Sequence, residues 1–188
     1  MLIVPYEEHF LGLAEEAEPN LIGVGSHAAW LDRLERDHDN FRVAVDWLEA
    51  SGDSNGALRL TAALWRFWDG KGHLVEGRGR VESALHAAEH PTAARAKALS
   101  GAADMALTTG DIAAGGRWAR EALELHRQLG DAWGSACLEG RTQGRTPRAR
   151  GRSVGGGIVR ATCLVRNDSR AIPSSMLGWA RVSRGSGS

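Results

Sequence analysis

The sequence predicts an all-α protein in which antiparallel helix hairpins stack side by side into a solenoid, followed by a disordered basic tail. Three observations predict it. Apolar residues recur at steps of three and four through most of the first 140 positions, the spacing that lines up one face of a helix. The pairs Gly52–Asp53, Gly110–Asp111 and Gly130–Asp131 repeat one punctuation, a glycine that can end one helix and an aspartate that can cap the next. After Gly140 the pattern stops and the charge reverses: residues 1–140 hold 13 Lys+Arg against 22 Asp+Glu, while residues 141–188 hold 10 Arg against Asp168 alone. Such a split marks two regions of different character, since one folded surface usually mixes its signs.

Taken in order, Phe10, Leu11, Leu13, Ala14 and Ala17 cluster at helical spacing between Glu7 and Glu18, and Pro19 with Asn20 ends that helix. Gly23, Gly25 and Ser26 form a loop, with Ser26 placed to accept a hydrogen bond from a first-turn amide. A long seam follows, Leu31, Leu34, His38, Phe41, Val45 and Leu48, which Asp37, Asp39 and Asn40 are suited to break into two helices. Between Gly52 and Pro91 lie two more. The first carries two stripes, Ala57, Leu60, Leu64 and Phe67 beside Thr61, Trp65 and Trp68, as an interior helix requires. Gly70, Gly72 and His73 make its turn. Leu74, Val81, Ala84, Leu85 and Ala88 mark the second, up to His90 and Pro91.

Thr92 can cap the next helix, whose Ala96, Ala102, Ala103 and Ala106 beside Leu99 and Leu107 allow close approach of a neighbour. Ile112, Ala119, Ala122, Leu123 and Leu129 mark its antiparallel partner, and a further helix opens at Asp131. Gly72 aligns with Gly110, and Ala84–Leu85 with Ala122–Leu123, both at an offset of 38. Helix-turn-helix content at that period is the mark of a tetratricopeptide-like α-solenoid. From 141 on, eight glycines, no sustained periodicity and short apolar islands lead us to expect disorder.

Several runs carry a family resemblance: HAAWLDRLERDHDNFRVAVDWL (His27–Leu48), ALRL (Ala57–Leu60), LWRFW (Leu64–Trp68), GHLVEG (Gly72–Gly77), ARAKAL (Ala94–Leu99) and the stretch Gly110–Asp131. Over about residues 6–138 they resemble the tetratricopeptide-like region of bacterial LuxR-type regulators of the signal-transduction ATPase kind. In that family the region follows an ATPase module and a winged-helix segment, and begins the helical repeats that sense an effector or protein ahead of a DNA-binding domain. The resemblance implies that residues 1–25 are the end of a winged-helix-like segment and a linker and that 26–140 are the helical-repeat domain, while composition makes 141–188 a basic Gly/Arg/Ser-rich tail. The chain departs from the family in having no GxxxxGK[ST] phosphate loop, since Asp69–Gly72 lacks both spacing and hydroxyl, and no recognisable helix-turn-helix. ATPase activity and DNA binding are therefore not carried over. The loss of pattern after Gly140 leads us to expect a truncated or frameshifted product, which translation of the encoding DNA in its other frames checks.

Cys137 and Cys163 cannot supply a multi-bridge framework and form no CxxC pair, which fits a reducing cytoplasm. Met1–Val4 is too short for a signal-peptide core, and no run approaches the roughly 18 apolar residues of a membrane span. His86 and His90 stand four apart with Glu82 nearby, a zinc-ligand spacing, but no full ligand set accompanies them, and His90 beside Pro91 suits terminal helix carbonyls. His38 in an apolar seam reads as a packed, hydrogen-bonded histidine. No nucleophile motif is visible. Trp65, Arg66, Trp68, Lys71 and His73 gather aromatic and cationic groups near one helix end; the two tryptophans read first as core, and any exposed member as an anchor for a partner or effector.

The expectation is thus a non-catalytic, cytoplasmic interaction or sensor module of a transcriptional regulator, with no cofactor, no metal and no membrane partner, and with scope for self-association. The alternative is a nucleic-acid-binding protein acting through its Arg-rich tail, although with Trp179 as its one aromatic the tail lacks interleaved stacking residues and suits a general polyelectrolyte affinity for phosphates better than a dedicated site.

Overall fold

The computed structural model describes residues 6–22 and 27–142, and among these every regular element is helical: eight α-helices, one short 3-10 turn and no strand. Met1–Val4, the cap expected at Ser26, Cys163 and the basic tail beyond residue 142 lie outside the described residues. In chain order the helices are α1 (Tyr6–Ala17), then the 3-10 turn Glu18–Leu21, α2 (His27–Arg36), α3 (His38–Ser51), α4 (Ser54–Lys71), α5 (Leu74–Ala87), α6 (Ala93–Thr108), α7 (Ile112–Gln128) and α8 (Ala132–Thr142).

The two stripes of α4 explain its central place. Leu60, Leu64 and Phe67 on one side and Thr61, Trp65 and Trp68 on the other are all buried, and α4 packs against α1, α2, α3, α5 and α6. Each fully buried Leu or Phe side chain contributes about 1.5–3 kcal/mol. Close approach on two sides is made possible by glycine. A Cβ on Gly77 of α5 would lie 2.7 Å from the Trp68 side chain, and one on Gly101 of α6 would lie 2.6 Å from Cγ of Trp65. Both tryptophans therefore lie against bare backbone of neighbouring helices.

The seam through α2 and α3 is buried as expected, from Leu31 to Leu48, and the break falls at Asp37. The Asp37 carboxylate accepts from the Asn40 side chain at 3.1 Å and caps no backbone amide. The edge of Phe10 meets Phe41 with ring centres 5.4 Å apart, which fixes α1 on α3.

The glycine–aspartate corners form in the expected way. Gly52, Gly110 and Gly130 take φ of 80°, 87° and 71°, where an L side chain is disfavoured, and Asp53, Asp111 and Asp131 accept from the amides of Gly56, Ala114 and Gly134 at 2.9, 3.0 and 2.9 Å. Thr92 likewise accepts from the Arg95 amide at 3.2 Å.

Four expectations need correction. Gly70 stays inside α4, so the turn is Gly72–His73 alone. α5 ends at Ala87, short of His90, because Arg95 takes the role expected of an imidazole: its Nη1 donates to the carbonyls of Leu85 and Ala88, both at 2.8 Å. Ile112 and Leu129 are 67% and 44% exposed, since they flank the two ends of α7 and fall off its stripe. His86 and His90 do not share a helix.

Candidate functional site

A group of ionisable side chains sits where the α2–α3 break meets the α4–α5 turn. Glu35 stands in the last turn of α2, His38 is the first residue of α3, His73 follows the left-handed Gly72, and Glu76 lies in the first turn of α5. The Nε2 atom of His73 lies 3.2 and 3.1 Å from the two Glu35 oxygens. The His38 and His73 ring centres lie 4.3 Å apart with the planes tilted by 40°, and His38 meets Phe67 edge-on at 5.2 Å. His38 is 6% exposed, and its Nε2 has no hydrogen-bond partner; the Glu76 carboxylate lies 3.6 Å away, beyond hydrogen-bond range. The expected hydrogen bond at that atom is thus missing. Glu76 accepts instead from Arg42 at 2.7 Å, and Arg80 is 3.9 Å off.

Burial holds the His38 imidazole below its ordinary pKa, helped by Arg42 and His73 and opposed by Glu76 and Glu35. The Arg42 hydrogen bond holds the Glu76 carboxyl below the usual carboxylate range. Both shifts make acid destabilising. As pH falls below about 6.5, the unfolded chain takes up a proton on His38 that the folded chain resists, and below about 4.5 the same holds for Glu76. Urea midpoints measured with chelator present are expected to fall from about pH 7.5 to 5.5, the range where histidine titrates. His38→Gln is expected to flatten that first decline; a slope that His38→Gln leaves unchanged would assign it elsewhere.

The residues singled out in the sequence divide between core and surface. Trp65 and Trp68 are 8% and 2% exposed and belong to the core. Arg66 stacks on Trp65 at 4.1 Å, Lys71 reaches Asp32 of α2 at 2.7 Å, and His73 joins the corner. The two tryptophans are thus core, as the sequence predicts, and Arg66, Lys71 and His73 are partly exposed. His86 is exposed, and Glu82 is engaged by Arg78 at 2.7 Å. No family model, curated protein or solved structure matches the chain.

A second polar group links α6, α7 and α8. Ser100 Oγ lies 3.1 Å from His126 Nε2, and His126 Nδ1 lies 2.8 Å from Asp131. The order matches a hydrolytic triad, but triad chemistry also requires an accessible hydroxyl and oxyanion donors. Here Ser100 sits in mid-helix, with its Oγ also 2.9 Å from the Ala96 carbonyl, and Asp131 caps α8. The group pins three helices together.

One exposed aromatic missed in the sequence is Trp47. It is 49% exposed on α3, one turn from Val43 at 54%, and it lines a groove of about 190 Å³ with Glu7, Glu8 and Leu11 of α1. Its position off the Phe41–Val45–Leu48 seam was the available signal.

Proposed function

We propose that this chain is a non-catalytic, tetratricopeptide-like helical-repeat module that binds a protein partner or small effector, as in the sensor arm of a bacterial LuxR-type transcriptional regulator. The observation that carries the reading is a ladder of contacts at nearly one sequence interval. Asp32–Lys71 are separated by 39 positions, Glu35–His73 by 38, Arg42–Glu76 and Asp46–Arg80 by 34, and Arg78–Asp111 by 33. Such intervals, 33 to 39 positions, are close to what laterally stacked hairpins of about 33–40 residues produce. The packing of α4 on both α5 and α6, and of α6 on α7, supports the same arrangement. A stack of this kind presents long ridged faces, and Trp47 beside the α1–α3 groove supplies the residue type that most often anchors an interface.

The test is a surface plasmon resonance screen of the full chain against peptide and effector libraries, with Trp47→Ala in parallel. A saturable ligand that loses ~30-fold in affinity in the variant is expected, the worth of one hot-spot aromatic. Ligands indifferent to Trp47, or none, would argue against this surface. Ester hydrolysis abolished by Ser100→Ala would overturn the non-catalytic reading.

A further inference from the structure

The α2–α3 and α4–α5 corner holds two imidazoles and a carboxylate whose grouping the interaction reading does not use. One donor atom from each of Glu35, His38 and His73 lies within 4.8 Å of the other two. In a tetrahedral site with bonds of ~2.0–2.1 Å, neighbouring donor atoms stand ~3.3 Å apart. Glu35 and His73 already meet at 3.1 Å, so closing the set around one ion requires shifts of ~1.5 Å or less.

The second observation is the buried Nε2 of His38, which lacks a hydrogen-bond partner. An orphaned imidazole nitrogen in a 6% exposed ring is costly, and a metal ion is one group that relieves it. Glu76 does not do so, because Arg42 draws it away. Phe67 and the start of α3 hold the His38 ring, while Gly72 in its left-handed conformation sets the position of His73.

We propose that Glu35, His38 and His73 form a site for a divalent transition-metal ion of the zinc class, which ties the α2–α3 break to the α4–α5 turn and leaves a fourth position for water or an external donor. Two nitrogens and one carboxylate suit zinc; magnesium and calcium prefer all-oxygen sets. The site is independent of the interaction reading.

The experiment uses the full chain, untagged and stripped with chelator, titrated with zinc chloride by calorimetry and followed by thermal melting. One zinc per chain and a melting temperature raised by several degrees are expected. Glu35→Gln and His73→Ala replace partly exposed residues, so the fold is expected to tolerate them. Each is expected to weaken binding by roughly a hundredfold or more, since even groups behind the ligands are worth ~10–100-fold. His86→Ala, on the surface of α5, is expected to leave binding unchanged. Absence of saturable binding, or binding that survives His73→Ala with its stoichiometry intact, would overturn the site.

Discussion

Trp68→Ala is expected to lower the free energy of unfolding by about 3–5 kcal/mol, the range for removing a buried aromatic from a packed core. Against a total of about 5–15 kcal/mol for a domain, that is a large share of its stability. The magnitude belongs at the upper end because the site has little freedom to collapse. Trp68 is 2% exposed, and the wall it faces on α5 is the backbone at Gly77, which has no side chain to swing into the gap. Trp68→Phe separates shape from polarity. The indole Nε1 is buried without a hydrogen-bond partner, so phenylalanine removes an unsatisfied donor while keeping most of the ring, and a cost below about 1.5 kcal/mol is expected. Urea unfolding with an unchanged m-value measures both. Equal costs for the two variants would mean that the ring's volume is not what holds α4 to α5.

Much of this architecture was legible because it depends on near neighbours in sequence. The seam from Leu31 to Leu48, the corners at Gly52, Gly110 and Gly130 and the Thr92 cap are each set within about one helical turn, where spacing and residue type carry the information. The tryptophans of α4 were legible only in part. Two stripes show that a helix meets neighbours on more than one side, but that Gly77 and Gly101 supply the flat walls depends on how three helices meet. The His38 corner was hidden for a related reason. Its ligand-like set joins Glu35 to His73 across 38 positions, whereas a search for metal spacing along one helix finds His86 and His90, which the end of α5 at Ala87 separates. Arg95 is the clearest case of a role reassigned by packing. Nothing local distinguishes it from Lys97, the other basic residue of α6, yet it caps α5 from the next helix and also reaches Glu121 of α7 at 2.8 Å.

The three aspartate corners look alike in sequence, and the structure predicts that they are unequal. Asp53 caps α4 through the Gly56 amide, and Asp53→Ala is expected to cost about 1 kcal/mol, the usual worth of such a cap. Asp111 also accepts from Arg78 at 2.7 Å, and the Ala114 amide and that guanidinium together hold its carboxyl below the usual range, so its removal loses the α5–α7 link as well as the cap. Asp131 carries the largest load. One oxygen caps α8 through Gly134 while the other lies 2.8 Å from Nδ1 of His126, an imidazole only 5% exposed. Asp131→Ala therefore loses a cap of about 1 kcal/mol and strands a buried nitrogen at a further ~1–3 kcal/mol, for a total of about 2–4 kcal/mol. Asp131→Asn retains an acceptor for the Gly134 amide and an amide group facing His126, so it is expected to recover most of the loss. Denaturant unfolding of Asp53→Ala, Asp131→Ala and Asp131→Asn side by side decides the matter. If the two alanine variants cost the same, the Ser100–His126–Asp131 chain adds nothing to the hold of α8 on α7; if asparagine fails to rescue, the charge on Asp131 matters more than the geometry it completes.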